Sequence, residues 1–175
     1  MMAAETMGEQ ILLDVVDPAA ARQWRVITDA VMGGVSEAEL VSTGAGAVEF
    51  LGALSLAHHG GFASVRSHPG RFDLSAWEGI ALYVKGDGNQ YRLTLTTAGN
   101  GDGVTYQAGF PTDKGAGRVV RIPFSEFAPT FHGRPVPDAP PLDPARISTI
   151  GFLIADRQEG RFRLELRAIK AYRHA

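Results

Sequence analysis

Apolar and polar residues alternate one by one along much of this chain, and that period of two restricts its fold more than any other feature. In FRLELRA, Phe162, Leu164 and Leu166 share one face while Arg163, Glu165 and Arg167 share the other. A strand with one face in a core and one in water requires this pattern. In YRLTLTT, Tyr91, Leu93 and Leu95 oppose Arg92, Thr94 and Thr96, and VEFLGALSL puts Val48, Phe50, Leu54 and Leu56 in one row with Gly52. Further strands are readable at IALYVKG, VTYQAGF, GRVVRIPF and STIGFLIA, with weaker ones at ILLDVV, WRVIT and GFASVRS. Glycine-rich turns at 44–46, 86–89, 99–103 and 115–117 separate these runs, because glycine enters positive φ at little steric cost. About ten short strands at such spacing predict an all-β antiparallel sandwich or jelly roll.

Helix is scarce. DPAAARQW offers Asp17 as N-cap and Pro18 at N1 for a turn or two. Ser36 and Glu39 mimic a capping box, but Ser42 to Gly46 stops any helix almost at once. The 175 residues, 45% apolar and 21% charged, suit one domain over 1–175 with an irregular tail at 1–9. One stretch breaks the rhythm: 124–146 carries six prolines and no strand pattern, longer than most connections. Phe124, Phe127 and Phe131 are expected to pin it to the body, as a wrapped structural loop or as a partner-binding one.

The absence of cysteine excludes disulfides, thiolate nucleophiles and Cys-ligated metal sites. A net charge of −2 gives no general attraction to nucleic acid. Residues 157–175 nevertheless carry Arg157, Arg161, Arg163, Arg167, Lys170 and Arg173 against Glu159 and Glu165. That segment reads as a solvated strand face, or as a contact for an acidic partner. The start MMAAETMGEQ has no positively charged and apolar leader, and no apolar run approaches a membrane span. A cytoplasmic location is expected, with peripheral membrane association left open.

Templates for chemistry fit poorly. His58 and His59 are adjacent and favour a solvated turn over a metal pair; His68, His132 and His174 add no metal-binding spacing. Glu37 and Glu39 have the spacing of a glycosidase pair on one strand face, yet read as acids on an edge strand. Ser36 in GGVSEA falls one glycine short of a nucleophile elbow, and GNGDGV is no phosphate loop. Asp87 and Asp102 sit in glycine loops where calcium is conceivable but turn chemistry suffices. Trp24, Trp77, Tyr83, Tyr91 and Tyr106 form either a sugar-stacking platform or part of the core. No catalytic, cofactor-binding or metal-ligating residue is assigned.

WRVITDAVMGGVSEAEL, GGFASVRS, VKGDGNQYRL, FSEFAPTFHGR and ISTIGFLIADRQEGRFRLELRAIKAY together resemble the CIA30 family, in order from Trp24 to Tyr172. The most specific pieces are Asp29-x-Val31-Met32-Gly33-Gly34-x-Ser36 and Gly60-Gly61-Phe62-Ala63-Ser64-x-Arg66. The family is named for complex I intermediate-associated protein 30, an assembly factor of respiratory NADH:ubiquinone oxidoreductase. The resemblance implies a galactose-binding-domain-like jelly roll and a non-catalytic, chaperone-like role. Without a transit peptide, the chain looks like a bacterial stand-alone member whose client need not be complex I.

On this resemblance the candidate binding surface comprises Asp29, Met32, Ser36, Arg66, Asp87, Tyr91, Phe131, Arg134 and Asp156. Asp29 and Arg66 are expected to pair, with Ser36 beside them and Met32 packed beneath Gly33-Gly34. Asp87 is expected to bond local amides in a hairpin turn ahead of Tyr91, and Arg134 to anchor a partner from the proline loop. Three functions follow. The first is a module that binds a protein client, and the second a carbohydrate or small-ligand binder, which exposed Trp24 or Trp77 beside a groove would favour. The third is an enzyme, which needs several of Asp29, Arg66, Asp87, His132 and Asp156 in one pocket.

Overall fold

Alternation of side chains across two sheets is what the chain builds. The structure, a computed structural model, describes residues 7–99 and 103–174. Its strands are β1 (Met7–Leu13), β2 (Trp24–Thr28), β3 (Glu37–Ser42), β4 (Val48–Leu54), β5 (Ala63–Ser67), β6 (Gly79–Lys85), β7 (Gln90–Thr97), β8 (Thr105–Pro111), β9 (Gly117–Pro123), β10 (Ala128–Phe131), β11 (Arg134–Pro135), β12 (Ile147–Ile154) and β13 (Gly160–His174). One sheet runs β3-β4-β13-β6-β9, with β1 also paired to β13; the other runs β11-β10-β8-β7-β12-β5-β2. All strand pairings are antiparallel.

The rows read from the sequence are the inner faces. Val48, Phe50 and Leu54 meet Phe162, Leu164 and Leu166 along the β4–β13 register, and Phe50 lies 5.0 Å from Phe162. Opposite them, Tyr91, Leu93 and Leu95 on β7 are fully buried with Ile150, Phe152 and Ile154 on β12. Burial on this scale stabilises by roughly 25 cal/mol per Å² of apolar surface. Trp24 and Tyr106 belong to this core as well. Trp77 packs partly against it under the Arg173 guanidinium, and the Tyr83 hydroxyl donates to Glu9. The five aromatics therefore form no stacking platform.

Several local expectations change. The segment 20–23 is a single 3-10 turn whose N-cap is Ala19, not Asp17; the Asp17 carboxylate accepts the Ala19 amide instead. Residues 7–9, expected in an irregular tail, are strand: β1 starts at Met7 and Glu9 pairs in register with Tyr172. Residues 1–6 and Asp102 lie outside the described residues. Residues 86–89 do not form a hairpin: β6 and β7 belong to different sheets, so this turn carries the chain across the sandwich. Within 124–146, the β10–β11 hairpin adds strands to the second sheet. Phe124 and Phe127 are buried there, but Phe131 points outward and is 43% exposed.

The cationic C-terminal strand is largely neutralised on the outer face of the first sheet. Arg163 faces Glu49, Arg167 faces Glu165, and Lys170 lies 3.3 Å from Glu9. Exposed pairs of this kind contribute little stability.

Gly52 shows how tightly the sandwich edge closes. A Cβ there would sit 1.9 Å from the Glu37 carbonyl oxygen and 2.8 Å from the Ala38 Cα, both backbone atoms of β3. Gly52→Ala must push β3 away from β4, and we predict a loss of about 1–3 kcal/mol by analogy with overpacked cores. Urea unfolding measures it; unchanged stability would contradict the close approach.

Candidate functional site

The signature Asp29-x-x-x-Gly-Gly-x-Ser is built around one carboxylate. After β2, Thr28 caps a 3-10 turn over Asp29–Met32, its hydroxyl accepting the Ala30 amide. Gly33 ends that turn at φ +86°, a conformation that favours glycine. The reversal turns the Asp29 side chain inward, where it is fully buried. Its Oδ1 accepts the Ser36 amide at 2.9 Å. Its Oδ2 accepts the Ser36 hydroxyl and the Gly61 amide, both at 2.6 Å. The Ser36 hydroxyl oxygen in turn accepts the Ser55 amide at 2.9 Å. One carboxylate thus joins the chain after β2, the start of β3, the end of β4 and the entry to β5.

The glycines around it are required by space. A Cβ on Gly34 would lie 2.4 Å from the Asp29 carboxyl carbon, and one on Gly60 would lie 2.5 Å from Oδ2. Burial pushes the Asp29 pKa up. The Ser36 hydroxyl and the amides of Gly61, Ser36 and Phe62 outweigh this and hold it below the usual aspartate value.

A second carboxylate organises the sheet-to-sheet turn. Asp87 accepts the Asn89 amide and side-chain amide, the Tyr91 hydroxyl at 3.0 Å and the Arg163 amide at 2.7 Å. Burial first, then the Asp87 charge, raises the Tyr91 pKa far above its ordinary value. Asp87 therefore bonds local amides as expected, and also reaches across to β13.

The expected Asp29–Arg66 pair does not form. Asp29 spends its oxygens on the Ser36 and Gly61 donors, while Arg66 lies along β5 on the outer face of the second sheet. Met32 does not pack beneath the glycines: it is 65% exposed, beside Val31 at 73% and Val35 at 54%. The inward turn of Asp29 leaves these apolar neighbours facing solvent. Asp156 pairs with Arg92 at the end of the same sheet. Arg134 is exposed on β11, at the opposite sheet edge from β2 and the Asp29 turn.

Arg66 and Phe131 do come together. They line a groove of about 400 Å³ on the outer face of the second sheet, with Thr94, Gln107 and His132. Both residues stand out in the sequence, but nothing there shows that β5 and β10, separated by three strands of one sheet, bring them together. Of the five residues proposed for catalysis, Arg66 and His132 share this groove, whereas Asp29 and Asp87 hold backbone amides elsewhere. Glu37 and Glu39 lie exposed on β3, lining a separate open groove of about 770 Å³ with Arg161 and Arg163. His58 and His59 form an exposed turn at φ 57° and 61°. Among the described residues, no three His, Asp or Glu side chains gather to hold a metal ion, and no helix is long and apolar enough to cross a membrane.

The Asp29 network makes two linked predictions. Asp29→Ala leaves the Ser36 and Gly61 amides without their acceptor and removes the 2.6 Å bond of the Ser36 hydroxyl, and is expected to cost on the order of 3 kcal/mol or more in chemical unfolding. Because the folded pKa is lowered, the stability that the carboxylate contributes is present above the unfolded value of about 3.9 and is lost as pH falls through the folded value. Asp29→Asn, which has no such proton to take up, should lose less stability than wild type on acidification below about pH 4. Parallel acid limbs in the two proteins would contradict the assignment.

Residues 13–166 match the family described as complex I intermediate-associated protein 30, CIA30. An uncharacterized protein of Schizosaccharomyces pombe is 31% identical over 170 residues, covering 86% of this chain and 78% of that protein. The mitochondrial complex I intermediate-associated protein 30 of Drosophila melanogaster is 30% identical over 185 residues. That alignment covers 89% of this chain, which spans 60% of the fly protein's length. Among solved structures, a family 11 carbohydrate-binding module of Clostridium thermocellum superposes with a TM-score of 0.68 at 23% identity, covering 94% of this chain and 95% of that one. An agarase superposes at 0.62 and 15% identity, over 94% of this chain and 24% of the enzyme. These likenesses establish a jelly-roll sandwich. With the family match covering nearly all of the sandwich, the chain belongs to the CIA30 family.

Proposed function

We propose that this protein is a non-catalytic binding and assembly module that holds a protein client, with intermediates of respiratory complex I the first class to test. The observation that carries this reading is the apolar surface of the signature turn. Val31, Met32 and Val35 are all more than half exposed on a segment whose backbone is fixed from beneath by Asp29. Large exposed apolar side chains close together mark interaction surfaces. Methionine adapts to varied partners because its side chain is unbranched and polarizable. A surface fixed before binding loses less conformational entropy on association.

The family supports a protein client, since the fly relative is named for association with a complex I intermediate. Arg134, on the far edge of the second sheet, is a second proposed contact on the same client, in keeping with the enrichment of arginine at binding hot spots. No step of chemistry is required of the chain: the buried Asp29 and the half-buried Asp87 are committed to amides and hydroxyls.

Affinity capture from native membranes and cytosol tests the reading. Wild type should recover complex I subunits repeatedly. Met32→Asp, on an exposed position, should keep the melting temperature and reduce recovery at least tenfold; Arg134→Ala should reduce it less. Absence of respiratory subunits, or recovery indifferent to both substitutions, would count against the assignment.

A further inference from the structure

The groove on the second sheet holds a cation whose side chain has no partner among the described residues. Arg66 lies half-buried on β5, and it makes no hydrogen bond or ion pair among the described residues. Its register partner on β2 is another arginine, Arg25, on the same outer face. Burial and the charge of Arg25 both disfavour the guanidinium. By contrast, Arg92 on the same face is matched with Asp156 and with the Gln107 carbonyl oxygen.

The rest of the groove repeats the imbalance. Gln107 has spent its acceptor on Arg92, which leaves its amide hydrogens free among the described residues. The Thr94 hydroxyl is likewise without a partner there. Among the described residues, no aspartate or glutamate lines the space. A surface rich in donors and poor in acceptors fits a group that only accepts, a carboxylate or a phosphate.

The walls specify what carries that group. Between Arg66 and Thr94 in the outer row, β12 presents Gly151, whose missing side chain leaves the Thr94 hydroxyl its place: a Cβ there would stand 2.7 Å from that oxygen. Phe131 forms one wall, its ring held edge-on to His132 with centroids 4.2 Å apart. Gly103 is needed beside it, since a Cβ there would lie 3.1 Å from the ring. Ile27 and Leu153 contribute apolar surface as well. A volume of about 400 Å³ is of small-molecule size.

We propose that this groove binds a small ring-bearing acid of monosaccharide size, its carboxylate or phosphate on Arg66 and its ring against Phe131. The site is distinct from the Val31–Met32–Val35 surface, so it stands or falls independently of client capture. An acidic side chain of a protein client is the competing occupant, but it would leave the aromatic wall without a role.

Arginine Nε–Hε resonances of the labelled protein test this during titration with D-glucuronate, glucose 6-phosphate, acetate and glucose. The Arg66 signal should shift saturably with glucuronate or glucose 6-phosphate, at a midpoint at least tenfold below those of acetate and glucose. The tighter of the two distinguishes a carboxylate from a phosphate. Exposed Arg22 and Arg157 should move little. Phe131→Ala, at an exposed position, should bring the acidic-sugar midpoint to that of acetate, and Arg66→Gln, followed on the Phe131 backbone amide and the Arg25 Nε–Hε signal, should remove saturable binding altogether. Arg66→Lys, which keeps the charge but not the planar fork, should bind more weakly than wild type. Equal midpoints for acetate and both acidic sugars would overturn the proposal in favour of an acidic side chain. An Arg66 response no larger than that of Arg22 would overturn it outright.

Discussion

A single buried carboxylate holds together the end of the sandwich where four chain segments meet. Charge in an apolar interior is costly unless donors surround it, and Asp29 has the Ser36 hydroxyl and the amides of Ser36 and Gly61 aimed at it. The same geometry dictates the glycines: at Gly34 and Gly60 the carboxylate occupies the space a side chain would need. At Gly33 the requirement is different, a positive φ with nothing within 4 Å of the added carbon. One charge thereby accounts for five of the signature positions, Asp29, Gly34, Ser36, Gly60 and Gly61, through direct contact.

This arrangement separates support from display. Asp29 and Ser36 face inward and fix the backbone, while Val31, Met32 and Val35 face solvent. Asp29, Gly34, Ser36 and Gly60 are thus the scaffold of the exposed turn. The Arg66 groove obeys another logic. Asp29 and the half-buried Asp87 have collected donors, whereas the Arg66 guanidinium has no acceptor among the described residues.

The fold was legible because a strand's alternation is local. Phe162, Leu164 and Leu166, or Tyr91, Leu93 and Leu95, declare their inner faces without reference to any partner strand. Contacts made across the chain were not legible. Gly61 meets Asp29 across 32 residues and Arg163 meets Asp87 across 76, and no local pattern announces either. The expected Asp29–Arg66 pair failed for this reason: opposite charges in one signature suggested a bond, but backbone amides reached the carboxylate first. Turn chemistry was equally ambiguous at Gly86–Asn89, since Asp87 bonds its neighbour's amide whether the strands pair or part. Only the tertiary structure revealed that β10 and β2, at or near opposite edges of one sheet, both contribute to the Arg66 groove.

Native-state hydrogen exchange at the Gly61 and Ser36 amides tests the central claim most directly, that the Asp29 carboxylate clamps the signature turn. If it does, both amides exchange only through global unfolding, with opening free energies equal to that of the core amides of Leu93 and Phe152. Exchange of Gly61 and Ser36 at the rate of an exposed loop amide such as Ala45 would contradict it.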